Sequence, residues 1–399
     1  RDSNKARLVT TAPRICVRYE CVPMRFIKHV YKIHTYAQDG RLFEGKTPVS
    51  AFLNSSYDGS FIAGLMELRY IQSLPVERII NYFESHGFTL KKPTAHKLME
   101  KASSLFENLY KCIRQTALSD PYKAADETYY KILVPEKNSK GKGVRKGYLW
   151  VVVGINTRMI YLLYDDGSRS EKVILNELGG CKGIIQSDGY SPYRKLESDA
   201  YPHITRIPCL QHIKRKFIDC GEDDPDAKRI VEMINTLYQN EHKHKIGVDG
   251  WTVEQNLVHR KKYAPDILGE IKDVLDDIEE RGDLLPKSEL KEAITYLRNE
   301  WNAVVDIFNY GDTYLDNNIV ERMNRYISLS RKNSLFFGSH KGAERGAILY
   351  TIALTCRMNK VNLFEYLTDV INRTAEWQPN TPLEKYRQLL PDRWEKAND

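Results

Sequence analysis

The chain has 399 residues, 42% of them hydrophobic and 11% aromatic, with 25 tyrosines, which excludes a disordered or fibrous polymer and allows two or three domains with proper cores. A net charge of +7 suits a polyanionic partner. No apolar run approaches the roughly 20 residues of a membrane span, no signal-peptide pattern opens the chain, and the seven cysteines are scattered without a disulfide framework, so a reducing, cytoplasmic setting is expected.

The chain opens on Arg1 rather than Met, which leaves room for residues before it. Residues 1–60 are mixed: basic and β-branched pieces such as "RLVTTAPRICVRYECV" precede a loop-like "AQDGRLFEGKTPVS". Residues 61–120 carry apolar side chains at three and four spacing, punctuated by Pro75, Gly87 and Pro93, and are expected to form a helical unit that either docks on DNA or serves as a scaffold. From 121 to 220 the pattern changes. "KAADETYYKILV", "GYLWVVVGIN" and "MIYLLYDD" read as three strands in meander. A helix "SEKVILNELG", a buried strand "GIIQSDGY", a short helix, a strand "HITRIPC" and a basic helix "LQHIKRKFIDC" follow. This succession predicts an α/β layer with a mixed sheet. Residues 221–310 are amphipathic, charged and helical, an insertion into the α/β domain, which resumes over 311–350. Residues 351–399 add C-terminal helices and a proline-marked tail.

Three acids stand at informative places. Asp126 and Glu127 interrupt the first strand, and side chains alternate across a sheet, so only one of the two faces a given site. Asp188 ends a buried strand, where ligands of open α/β sheets bind, although an Asp-Gly turn explains it equally well. Glu321 opens a helix in "LDNNIVERMNRYISLSRKN", with Arg322, Arg325, Arg331 and Lys332 near it. Two structural readings of Glu321 stand beside the catalytic one: a capping pair with Asn318, or a helix-surface ion pair with Arg325. A meander bearing an acid on its first strand, an acid on its fourth and a glutamate on a later helix matches a ribonuclease-H-like fold. Such acids hold two divalent ions about 3.5–4 Å apart on a phosphodiester. No serine or cysteine nucleophile is then needed, because water or a DNA 3′-OH serves.

The segments "ADETYYKIL", "YLWVVVG", "SDGYSPY", "CLQHIKRKF", "YLDNNIVERMNR" and "SRKNSLFFGSHKGAERGA" resemble, in this order, transposases of the insertion sequence 66 family. The resemblance extends from "AFLNSSYDGSFIAGLMELRYIQSLPVERI" to "LLPDRW", almost the whole chain. It implies a DDE enzyme with Asp126, Asp188 and Glu321 as catalytic and metal-binding residues. Mg²⁺ is the expected ion, two per site, with Mn²⁺ able to substitute. Arg322, Arg325, Arg331 and Lys332 are expected to bind DNA phosphate. The implied partners are transposon-end and target DNA, at least one further copy of the chain, and accessory proteins of the same element, in a bacterial, nucleoid-associated setting. Cys209 and His212 occupy the family's Cys-x-x-His element and are expected to give packing and polar support beside the site. Where family members carry a cysteine-rich zinc stretch, only Cys16 and Cys21 remain, so zinc is not expected. "EHKHK", with His242 and His244, reads as a basic solvent-facing patch of the insertion. The function expected is DNA transposition; a metal-dependent nuclease or resolvase, or a non-catalytic DNA-binding descendant, are the alternatives.

Overall fold

The computed structural model describes residues 18, 24–45, 50–52, 55–137, 141, 143–221, 223–378 and 380–396. Cys16 and Cys21 lie outside the described residues.

The segment expected as a loop contains a hairpin. Strands β1 (Thr35–Gln38) and β2 (Arg41–Glu44) pair antiparallel across Asp39 and Gly40, both at positive φ. An Asp-Gly pair in this conformation matches the right-handed twist of its strands. The described β1 residues are all exposed, so no apolar alternation announced the hairpin.

Helix α1 (Gly59–Met66) starts where the Asp58 side chain accepts the Phe61 N–H and runs on into a single π turn, Glu67–Ile71. Helices α2 (Val76–Ser85), α3 (Lys92–Leu105) and α4 (Glu107–Ser119) complete the helical unit. Pro93 sits in the first turn of α3, where its missing N–H costs no helix bond.

The sheet is built from β3 (Tyr122–Leu133), β4 (Val144–Gly154), β5 (Met159–Leu163), β6 (Gly183–Ser187) and β7 (Ile204–Pro208), in the order β5-β4-β3-β6-β7. The first three form the antiparallel meander; β6 and β7 run parallel to β3. The central strand β3 therefore has its acids flanked by a parallel strand end. Helices α5 (Glu171–Leu178), α6 (Ser191–Arg194) and α7 (Leu210–Ile218) alternate with the parallel strands as expected. The edge strand β5 is shielded: Thr351 and Thr355 hydroxyls accept the Leu162 and Ile160 N–H groups at 3.0 and 3.1 Å, which blunts an edge otherwise open to pairing.

The insertion consists of α8 (Pro225–Glu241), α9 (Val253–Glu280) and α10 (Glu289–Ile307). Its apolar faces share one core with Ile184, Ile207, Ile213 and Phe217 of the β6–β7–α7 side. It is inserted in sequence but not separable in space. Helices α11 (Asn318–Asn333), α12 (His340–Met358), α13 (Leu363–Thr374) and α14 (Leu383–Arg387) close the chain, and α12 and α13 pack in the other core with the N-terminal helices and the meander. The mixed α/β architecture with a helical insertion is the expected one.

Candidate active site

Parallel pairing of β3 with β6 matches Tyr122 to Ile184, Lys123 to Ile185 and Ala124 to Gln186. The same register, carried two residues further, sets Asp188 beside Asp126. The two acids feel each other. Burial first, then the charges of Glu127 and Asp188, push the Asp126 carboxyl up to about 8, against hydrogen bonds that favour its charged form. Those bonds come from the Glu127 N–H to Oδ1 at 2.8 Å and from Asn324 Nδ2 to Oδ2 at 2.6 Å. Glu127 has partners of its own. Arg169 donates to its Oε1 and the Tyr193 hydroxyl to its Oε2. Burial still raises the Glu127 carboxyl, with Arg169 opposing.

Glu321 stands on α11, the helix whose Asn324 binds Asp126, and the neighbours of its own carboxylate are Cys209 and His212. The N-cap of that helix is Asn317, whose side chain donates to the Ala125 carbonyl at 3.0 Å and so docks the helix start on β3. Asn317, Glu321 and Asn324 lie along one helical face, and Asn324 is the residue that grips Asp126. Among the described residues Glu321 makes neither a capping bond to Asn318 nor an ion pair with Arg325. Its Oε1 is buried without a partner, 3.8 Å from His212 Nε2. Asn317 Oδ1, Asn324 Oδ1 and His212 Nδ1 are likewise buried and unpartnered. Native interiors seldom leave such atoms bare, and a carboxylate oxygen with three more on the elements that carry or face it marks a place for ions or water.

Cys209 and His212 belong to α7, the helix after β7. Cys209 is its N-cap, 1% exposed, and its Sγ accepts the Asn317 N–H at 3.2 Å. Burial pushes the thiol up to about 12. One Cys209, one His212 and one Glu321 donor atom lie within 4.8 Å of one another.

Asp188 is held by residues that no short motif announces. Arg206 on β7 has a fully buried side chain; its Nη2 donates to the Asp188 carbonyl at 2.9 Å and to Glu300 Oε2 at 2.5 Å, and its Nε to Ser187 Oγ at 3.1 Å. Glu300 and Tyr296 both come from α10 of the insertion, and the Tyr296 hydroxyl accepts the Gly189 N–H at 2.8 Å. An open cleft of about 380 Å³ begins at Asp188 and Gly189 and is lined by Arg169, Tyr190, His212, Arg215, Lys216, Asp219 and Tyr296. Four of these side chains are cationic or can become so, and Arg169 stacks on Tyr190 at 4.1 Å.

A family model described as "Transposase IS66 family" matches residues 54–345, a span that contains all three acids and the insertion. The chain belongs to this family. It is also similar to three uncharacterized proteins of Sinorhizobium fredii. With y4jD it is 26% identical over 83% of this chain and 65% of the relative. With y4hP the identity is 24% over 98% and 73%, and with y4qI it is 26% over 92% and 69%. The chain thus spans about two thirds of the length of the curated relatives it matches.

The cations expected to bind DNA do not form one set in this IS66 transposase family member. Arg322, Arg325 and Lys332 are exposed along α11. Arg331 is committed inward instead: its Nη1 donates to the Tyr129 carbonyl, and the guanidinium lies 3.9 Å from the centre of the Tyr129 ring. With Nη1 also 3.5 Å from Thr128 Oγ1, this group is a tie between α11 and the sheet. Arg169, Arg215 and Lys216, closer to the acids, escaped the sequence reading. "CLQHIKRKF" carried the signal, since His212, Arg215 and Lys216 recur at helical spacing. His242 and His244 are exposed as expected, with His244 stacked 3.8 Å from Trp251. Among the described residues, no helix is long and apolar enough to cross a membrane.

Proposed function

We propose that this chain carries the catalytic centre of a DNA transposase with a ribonuclease-H-like core, which binds terminal inverted repeats, cleaves at the 3′ ends and transfers the freed 3′-OH strands to target DNA. The observation that carries the reading is the approach of Asp188, just past the end of β6, to Asp126 within the neighbouring strand β3, which Asn324 of the Glu321-bearing helix also contacts, in a transposase family.

The donor set fits the divalent ions this chemistry uses. Asp126 is crowded by two other carboxylates that raise it, a repulsion that a cation would relieve. Glu321 Oε1 is buried and bare. Asp126, Asp188 and Glu321 would hold two Mg²⁺ or Mn²⁺ ions, which when bound supply charge neutralisation at the phosphodiester and activate the attacking oxygen. The chain's own residues do the rest. Asn324 keeps Asp126 turned toward the site, Arg206 and Tyr296 fix the Asp188–Gly189 turn, and Arg215 and Lys216 would seat strand phosphates in the cleft, whose wall includes Arg169 paired with Glu127. Arg322, Arg325 and Lys332 would contact the flanking duplex. Pairing two transposon ends calls for at least a dimer, and accessory proteins of the element are the further partners.

The test uses labelled end duplexes with Mg²⁺ or Mn²⁺. Asp126→Asn, Asp188→Asn and Glu321→Gln should each lower 3′-end cleavage by orders of magnitude while binding of uncut ends persists. Glu127→Gln, which alters the carboxylate paired with Arg169 rather than the one bound by Asn324, should keep most of the activity. A Glu321→Gln protein that cuts normally would overturn the assignment. Cleavage without any joined product would leave a nuclease.

A further inference from the structure

We propose that Cys209, His212 and Glu321 form a binding site for one thiophilic divalent transition ion of the Zn²⁺ or Co²⁺ class, bridging the starts of helices α7 and α11. The inference concerns an ion chemically unlike Mg²⁺, and it stands whether or not Glu321 serves in strand transfer.

Local structure brings the three donors together. Cys209 caps α7 and His212 follows one turn later, so both side chains look out from the same end of the helix. Leu210 N–H donates to the Leu315 carbonyl at 2.9 Å, which holds the start of α7 against the segment leading into α11. Glu321 then enters from the first turn of α11. The donor atoms lie within 4.8 Å of one another, and His212 Nε2 stands 3.8 Å from Glu321 Oε1. Ligands of a tetrahedral Zn²⁺, at about 2.0–2.3 Å from the ion, are about 3.5 Å apart, so closure asks for side-chain movement of about 1 Å.

Three further observations point to an ion rather than to packing alone. Glu321 Oε1 is buried and has no hydrogen-bond partner among the described residues, so a free acceptor faces Cys209 and His212. The Asn317 N–H aimed at Cys209 Sγ is the outer-shell donor that stabilises a coordinated thiolate. His212 also lines the open cleft, which provides an entry path and leaves a fourth position for water or a phosphate oxygen. The donor types decide which ion. Mg²⁺ takes oxygen, whereas a sulfur and an imidazole nitrogen beside one carboxylate select zinc-like ions. On binding, the Cys209 S–H bond breaks, its proton goes to solvent, and the sulfur lone pair forms the bond to the ion.

Co²⁺ titration of the metal-free full chain reads the site directly, by absorption and without reference to DNA cleavage. One equivalent should produce a sulfur-to-cobalt charge-transfer band in the near ultraviolet together with intense visible bands of a four-coordinate ion. Zn²⁺ should abolish both, and excess Mg²⁺ should not. Cys209→Ser should remove the charge-transfer band, and His212→Ala should weaken binding at least about tenfold, as loss of an outer-shell contact alone already does. A Cys16→Ser/Cys21→Ser variant should keep the band, as should Asp126→Asn, which alters a proposed catalytic acid that is not a donor of this site. Absence of a sulfur charge-transfer band in the unmodified protein would overturn the proposal without any variant. So would a band that survives in Cys209→Ser or vanishes in Cys16→Ser/Cys21→Ser.

Discussion

Glu300→Gln should destabilise the protein substantially, although the residue lies 112 positions from Asp188 in sequence. The Glu300 side chain is 1% exposed and that of Arg206 is fully buried. Burial raises the Glu300 carboxyl despite the guanidinium beside it, so desolvation cancels much of the attraction and the pair itself adds little net stability. Removing one partner is a different matter. It leaves the Arg206 charge buried with only Glu197, which is 35% exposed, as compensation. Breaking a buried pair costs about 3–5 kcal/mol, and the remaining Glu197 argues for the lower end, about 3 kcal/mol. At roughly 2–4 °C per kcal/mol for a large domain, the melting temperature should fall by ~6–12 °C. Circular dichroism melts measure this, with Glu197→Gln as the milder, solvent-screened comparison at about 1 kcal/mol or less. The double variant Arg206→Met/Glu300→Leu should recover most of the stability, because an apolar pair of similar volume replaces the ions. It should not recover end cleavage, since the Asp188 carbonyl has lost its Nη2 donor. A Glu300→Gln melt within ~2 °C of the parent would refute the energetic reasoning. Full cleavage by the double variant would refute the positioning role.

The Asp126 carboxyl, at about 8 in the fold against an ordinary value near 4, makes the metal-free protein bind more protons folded than unfolded across that interval. Its contribution to stability is therefore fully present below about pH 4 and is lost as pH rises toward 8; chemical denaturation in chelator should show the decline, and Asp126→Asn should flatten it. Arg331→Ala should cost about 1–3 kcal/mol of stability, because it removes the bond to the Tyr129 carbonyl and the contact with the ring, while leaving the salt dependence of DNA binding unchanged. Lys332→Ala should do the reverse, keeping the melting temperature and lowering the slope of log affinity against log salt by about 1.

The meeting of Asp126 with Asp188 was legible because it follows from short-range rules. A meander followed by alternating helix and strand places the next parallel strand beside β3, and an acid at the end of a strand points to the ligand edge. Glu321 was legible only through its company of cations and the family wording, since its distance in sequence says nothing of its direction. Arg206 and Glu300 were not legible at all. Each occurs in an unremarkable strand or helix, and a buried ion pair between remote segments leaves no periodic trace. Arg331 misled for the complementary reason: on a charged helix face, sequence alone does not distinguish a solvated cation from one folded back on a neighbouring strand. The β1–β2 hairpin carried its Asp-Gly signal plainly, but its exposed strands lacked the alternation that would have supported it.

The placement of the acids also explains why the insertion belongs between Asp188 and Glu321 rather than elsewhere. Helix α11 both carries Glu321 and, through Asn324, grips Asp126, so the placement of both acids depends on the docking of α11 on β3 by Asn317. Asp188 answers to other elements: Arg206 on β7, and through Glu300 and Tyr296, α10 of the insertion. The chain runs from Asp188 out through α8 and α9, returns along α10 past the Asp188–Gly189 turn, and only then enters α11. The last insertion helix therefore braces the turn that holds Asp188 just before the chain reaches Glu321. A load on the insertion, such as bound DNA, would reach Asp188 through two hydrogen-bonded contacts and α11 through the short connection from Phe308 to Asn317. Docking of α10 therefore orders the Asp188–Gly189 turn through Tyr296 and, by way of Glu300, Arg206.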